Sequence, residues 1–174
     1  MKRVGFLILL ILVIGNSGSY DSEINNSTYN PQTEDTYSIG ADGEEIILVN
    51  NCNATDKTYN EVIQFIKTDK TDEKPYILES YTCGDYAEEV HNNAEAAGIK
   101  AGWVTIEFKE GGIGHAFNVF NTTDSGLIYI DCTGWDGESR DISVGSAYSP
   151  IIPGNPDDWE YTSMGIISEY DIYW

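Results

Sequence analysis

Residues 82–131 read TCGDYAEEVHNNAEAAGIKAGWVTIEFKEGGIGHAFNVFNTTDSGLIYID, and the period of the apolar residues changes inside them. Cys83, Tyr86, Ala87, Val90, Ala94 and Ala97 fall at helical spacing and predict one apolar stripe. Thr82 stands at the N-cap with Asp85 three residues on, and Gly98 supplies a left-handed stop. The stripe is rich in alanine, so another layer can approach it closely. Glu88, Glu89, Asn92 and Asn93 fall on the side expected to face water. From Ala101 the period becomes two: Trp103, Thr105 and Glu107 alternate with Val104, Ile106 and Phe108. Strands are predicted over 101–109, 115–120 and 127–131, divided by Gly111-Gly112 and by the loop 121–126. Helices followed by an antiparallel meander define an α+β domain.

Upstream, Thr58 and Glu61 form a Thr-x-x-Glu capping box. It opens a helix whose apolar face carries Val62, Phe65 and Ile66. The run EEIILVN (44–50) is expected to be a strand, and the domain is expected to span 44–174. Residues 20–43 are polar and without apolar period, which predicts a flexible linker. Residues 1–19 begin with Lys2 and Arg3, continue in an apolar run from Val4 to Ile14 and end in small and polar residues, the order of a secretory signal. The run is shorter than the ~20 residues of a membrane span. The expectation is therefore a secreted or cell-surface protein with no span in the mature chain; an uncleaved N-terminal anchor is the competing reading. Downstream, Pro150, Pro153 and Pro156 mark a loop before a final strand expected over 161–174.

The formal net charge is −20 and the isoelectric point is near 4.1, which argues against nucleic acid and anionic lipid as partners. Two histidines and three dispersed cysteines show no paired-ligand spacing, so neither a metal nor another cofactor is expected. With three cysteines in an exported chain, the economical disulfide joins Cys52 to Cys132 and leaves Cys83 free. Asn25, Asn26, Asn53 and Asn121 head glycosylation-type triplets, which support export only weakly.

Cys83, His115 and Asp131 suit one nucleophilic machine. A helix N-terminus and a neighbouring imidazolium lower a thiol pKa, a histidine can take the thiol proton, and a carboxylate can fix the imidazole tautomer. A hairpin symmetric about Thr123 sets His115 opposite Asp131, with His115, Phe117, Val119, Leu127, Tyr129 and Asp131 on one face. Asn118 then falls on the other face. His91 lies two helical turns from Cys83, roughly 12 Å away, and is expected at the surface. Gln64, Tyr76 and Tyr81 are the upstream candidates for a second oxyanion donor. Each residue also has a plain reading: an inert thiol, a packed histidine, a strand-end acid.

The segments CGDYAEEVHNNAEAAGIKAGWV, GHAFNVF and GLIYIDCT resemble the core of the transglutaminase-like cysteine-enzyme superfamily, and the flanks resemble an exported archaeal branch of it. The resemblance covers about Thr82–Thr133 and maps its Cys, His and Asp onto Cys83, His115 and Asp131. It implies a papain-like arrangement in which the Cys-bearing helix packs on an antiparallel sheet. It also implies acyl transfer through a thioester: peptide or amide hydrolysis, deamidation or cross-linking, with a protein or peptide substrate. Cys132 stands where many members carry proline. The superfamily includes inactive members, so the alternative is a non-catalytic cell-surface or adhesion domain that keeps the fold.

Overall fold

A computed structural model of the chain describes residues 38–139, 141–150 and 163–174. The signal-like residues 1–19, most of the expected linker and the loop around Pro153 and Pro156 lie outside them. The described residues form an α+β unit: α1 (Tyr59–Thr68), a 3-10 turn (Thr71–Glu73), α2 (Cys83–Ala96), β1 (Gly102–Phe108), β2 (His115–Thr122), β3 (Gly126–Asp131), β4 (Gly137–Ser139) and β5 (Ile167–Tyr173). The five strands make one antiparallel sheet in the order β4-β3-β2-β1-β5. No helix among the described residues is long and apolar enough to cross a membrane.

Both helices begin where their capping boxes place them. Thr58 N–H donates to Glu61 at 2.9 Å, and Thr82 N–H donates to Asp85 at 2.8 Å. Helix α2 ends at Gly98, whose φ of 76° is open to glycine at little cost. The helices pack on one face of the sheet through Val62, Ile66, Val90 and Ala94 against Phe120, Ile128 and Ile130. Val104, Ile106, Phe117 and Val119 line the other face, where Ile142 and Tyr148 cover them. Asn118, fully buried on the helix side, donates to Ala87 O at 2.8 Å and so bonds the sheet directly to α2.

The β2–β3 hairpin is tighter than the symmetric loop about Thr123. Thr122 pairs with Gly126 and Val119 with Tyr129, so the register is displaced by two residues. Gly126, at φ 71°, ends a three-residue loop with the left-handed residue that such hairpins favour. A shift of two leaves every side chain on its expected face, because the side-chain period of a strand is two. Continued to Asp131, this register sets it opposite Phe117 and diagonal to His115.

The run 44–50 is not a strand of the sheet. It is an extended strap laid over α2, bonded to helix side chains instead of to a neighbouring strand. Ile47 N–H donates to Glu88 at 3.0 Å, Val49 N–H to Asn92 at 2.7 Å and Asn51 N–H to Glu95 at 2.9 Å. Ile46 and Leu48 turn inward against Trp103, Ala87 and Ala116, while Ile47 and Val49 point to solvent. The strap begins before Glu44: Ile39 pairs with Glu45 in a small turn drawn from the expected linker. The strap therefore covers the Glu88 and Asn92 part of the face expected to be wet, while Asn93 stays exposed, and His91 is 0% exposed where a surface position was expected. Its Nε2 lies 3.0 Å from Asn50 Oδ1, and burial pushes its pKa down, which favours the neutral ring.

Glu95 is the buried anchor of this strap. It accepts from Asn51 N–H and, at 2.8 Å, from the buried Ala101 N–H. Glu95→Ala leaves both donors without their acceptor, and we expect a loss of roughly 2–6 kcal/mol in urea unfolding, at about 1–3 kcal/mol per orphaned group. Faster hydrogen exchange at residues 47–51 should accompany it; a loss below about 0.5 kcal/mol would show that the strap does not depend on this carboxylate.

Candidate active site

Cys83 is the first residue of α2, at the positive end of the helix dipole. Its half-buried side chain packs beside Ala87, Trp103 and Ala116. The thiol lies beside the His115 ring and the Ala116 backbone, near enough for both to act on its pKa. His115 is the first residue of β2, at the end of the sheet where α2 starts. Its Nε2 lies 2.6 Å from Asp131 Oδ2, leaving Nδ1 as the ring nitrogen for Cys83. Sequence reasoning placed these three side chains together, and the structure does bring them together. Asn118 points the other way into α2, and His91 lies under the strap.

The charges in this chain of contacts reinforce one another. Burial alone raises the Cys83 pKa, but the His115 hydrogen bond and charge, helped by the Ala116 N–H, outweigh burial and hold it below the ordinary thiol value. Burial alone lowers the His115 pKa, but the Asp131 charge and hydrogen bond, with a contribution from Cys83, raise it to about 10. Burial raises the Asp131 pKa, and the charge and hydrogen bond of His115, with bonds from Thr133, bring it below the usual carboxylate value. The three shifts therefore act together: they favour a thiolate beside an imidazolium more than burial alone would allow, with the carboxylate ionised behind it.

Tyr148 completes the Asp131 environment, and the sequence reading missed it. Its hydroxyl donates to Asp131 Oδ2 at 2.8 Å, on the same oxygen that His115 uses, while Thr133 N–H donates to Oδ1 at 3.0 Å. The ring is 1% exposed, stacks on Phe117 at 5.0 Å and stands 5.3 Å from the His115 ring. Tyr148 is held by the segment just before β5: its N–H donates to Gly165 O at 3.0 Å, and its carbonyl accepts from Met164 N–H. The one sequence signal for it is an aromatic side chain alone among the small and polar residues of 143–149.

The expected Cys52–Cys132 disulfide is not formed: all three cysteines are free. Cys132 is buried in the helix-side core, where burial and Asp136 push its pKa well above the ordinary value. Cys52 is exposed, beside Glu95, Lys100 and Trp174. The two thiols belong to different surroundings, one inside the core and one on the surface.

Cys83 and His115 open onto a cleft of about 310 Å³. The start of the strap (Ser38, Ile39, Gly40) lines it, as do Gly84 and residues of β1 and β2. Of the upstream candidates for an oxyanion donor, Gln64 is exposed on α1 and Tyr81 gives its hydroxyl to Glu89 at 2.5 Å. Tyr76 stacks on Tyr86, the residue one helical turn after Cys83, and the Cys83 charge raises its pKa after burial does.

Fold and site together define an α+β domain with a Cys–His–Asp chain of contacts at one end of its sheet. Comparison with protein-family models, with curated proteins and with solved structures gives no match to this chain.

The pH dependence of stability follows from the His115–Asp131 pair. A His pKa raised above its ordinary 6.5 contributes fully below 6.5 and loses that contribution as pH rises through about 10. An Asp pKa lowered from 3.8 contributes above 3.8 and loses it as pH falls through the lowered value. The destabilisation by Asp131→Asn, measured by urea unfolding, should therefore be largest between about pH 4 and 6.5 and shrink toward pH 10. Tyr148→Phe removes one donor from Asp131 and strengthens the demand on His115. We expect the imidazole NMR titration of His115 to move to higher pH; an unmoved titration would reduce Tyr148 to a packing residue.

Proposed function

We propose that this chain is a thiol enzyme of the transglutaminase-like type, with a papain-like core made by α2 against the sheet, that hydrolyses an amide bond of a peptide or protein through a Cys83 thioester. The observation that carries the reading is the His115–Asp131 hydrogen bond set beside the Cys83 thiol, with Cys83 and His115 lining one cleft. An inert structural thiol does not need a helix N-terminus, an imidazolium and a backbone N–H directed at its sulfur. Cys132, in the same chain, has the environment of an inert one.

In this reading the Cys83 thiolate attacks the carbonyl carbon, and the oxygen takes up the negative charge. The backbone N–H of Cys83 has no intrahelical partner and serves as one oxyanion donor. The Tyr76 hydroxyl is the candidate for the second, since neither Gln64 nor Tyr81 is placed for it. The C–N bond breaks as His115 gives its proton to the departing amine, leaving the thioester. Water then adds, His115 accepts its proton, and the Cys83–carbonyl bond breaks to release the acid and restore the thiolate–imidazolium pair. Asp131 keeps the imidazole oriented throughout, and Tyr148 keeps Asp131 oriented. The signal-like N-terminus supports action outside the cell or at its surface.

Iodoacetamide with peptide mapping near neutral pH tests this assignment. Cys83 should label faster than Cys52 despite being less exposed, and Cys132 should stay unlabelled. His115→Ala should abolish the advantage of Cys83. Against a peptide that is turned over, Cys83→Ala should be inactive, and His115→Ala should lose about 10²–10⁴ in kcat/KM. Slow labelling of Cys83 that is indifferent to His115→Ala would favour the non-catalytic surface domain.

A further inference from the structure

The residues lining the cleft include one carboxylate, Glu107, and no lysine or arginine. Cys83 and His115 are committed to each other and to Asp131, so Glu107 is the uncommitted charge of the cleft wall. It is exposed, and among the described residues it takes part in no salt bridge and no side-chain hydrogen bond. Its position is fixed by the strand pairing: Glu107 follows Ile106, which pairs with His115. The carboxylate lies across Gly114. A Cβ on Gly114 would stand 2.8 Å from Glu107 Oε1 and 2.6 Å from Ile106 O, so only glycine fits between this carboxylate and His115.

Two further observations point to a positive charge arriving there from outside. Across the β1–β5 ladder Glu107 pairs directly with Glu169, and like charges opposite each other destabilise a sheet. Asp85 is not in the lining itself, but its Oδ1 lies behind the cleft-lining Gly40, 2.7 Å from that glycine's would-be Cβ, while its other oxygen accepts from Thr82. Apart from the Cys83–His115 pair, whose charges offset each other, the charge on this wall is negative, and such a wall concentrates ligands of the other sign. The side of the cleft follows from the chemistry. His115 gives its proton to the departing amine, so the ground next to His115 belongs to the leaving group.

We propose that Glu107 selects a cationic side chain, lysine or arginine, in the first residue on the leaving-group side of the scissile amide. The proposal rests on the hydrolytic reading of Cys83, His115 and Asp131 and adds the substrate class. Glu107 acts through charge, and it is a specificity residue that does not take part in the bond-breaking steps.

Fluorogenic peptide libraries varied at that one position test it, with the full chain at low ionic strength. Lysine or arginine should raise kcat/KM by about fivefold over glutamine, the scale of one partly solvated ion pair. The preference should fall toward one in Glu107→Gln and shrink with added salt. It should reverse toward glutamate in Glu107→Lys. Glu79→Gln, which removes an exposed carboxylate in the turn before α2, should keep the preference. Turnover without a cationic preference, or a preference that survives in Glu107→Gln, overturns the inference and leaves the hydrolytic reading standing. No turnover of any peptide, together with unselective alkylation of Cys83, removes the hydrolytic reading and this inference with it.

Discussion

The hydrogen bond between His115 Nε2 and Asp131 Oδ2 is the constraint on which the site depends. A carboxylate buried as deeply as Asp131 is costly unless its oxygens are satisfied. His115, Tyr148 and Thr133 satisfy them, and they come from separate parts of the chain: the start of β2, the segment crossing the open sheet face, and the turn after β3. The carboxylate thus fixes the path of three segments as well as the state of one imidazole. Removing the charge leaves three donors aimed at a weaker acceptor, so the cost falls on fold and chemistry together.

The other end of the arrangement is held by different means. The first turn of α2 is set on the sheet by apolar contact through Ala87, Trp103 and Ala116 and by the Asn118 bond to a helix carbonyl. The strap then clamps the outer side of α2 through Glu88, Asn92 and Glu95, and its leading residues form part of the cleft wall. The small residues of the α2 stripe let the helix approach closely enough for Cys83 to meet a ring carried by a strand. Packing places the thiol, and the buried ion pair sets its charge state.

How much of this was legible depended on how local the determining interaction is. The two capping boxes and the two-residue alternation are written within a few residues, so α1, α2 and β1–β3 follow from the sequence. The hairpin register is less local: Gly126 in the left-handed region sets the loop at three residues. The error of two residues was harmless because strand faces repeat every two, and the His–Asp contact survives as a diagonal pair. The run IILV at 46–49 has the composition of a strand, but its backbone partners are side chains of a helix 41 to 44 residues away, which no local pattern encodes. The same cover explains His91, since a helix face is wet only if nothing lies on it. Tyr148 was hidden for a similar reason: its value comes from a segment with no period, folded across the sheet by the Ala147–Ile166 bridge just before β5.

The central claim is that Cys83 is a thiolate held by the His115 imidazolium. The ultraviolet absorbance of the thiolate, followed through a pH titration as the difference between the native chain and Cys83→Ala, reads this state directly. The account predicts that the Cys83 signal appears below the ordinary thiol pKa and moves to higher pH in His115→Ala. A thiolate that forms only near the ordinary value, with no response to His115→Ala, would contradict it.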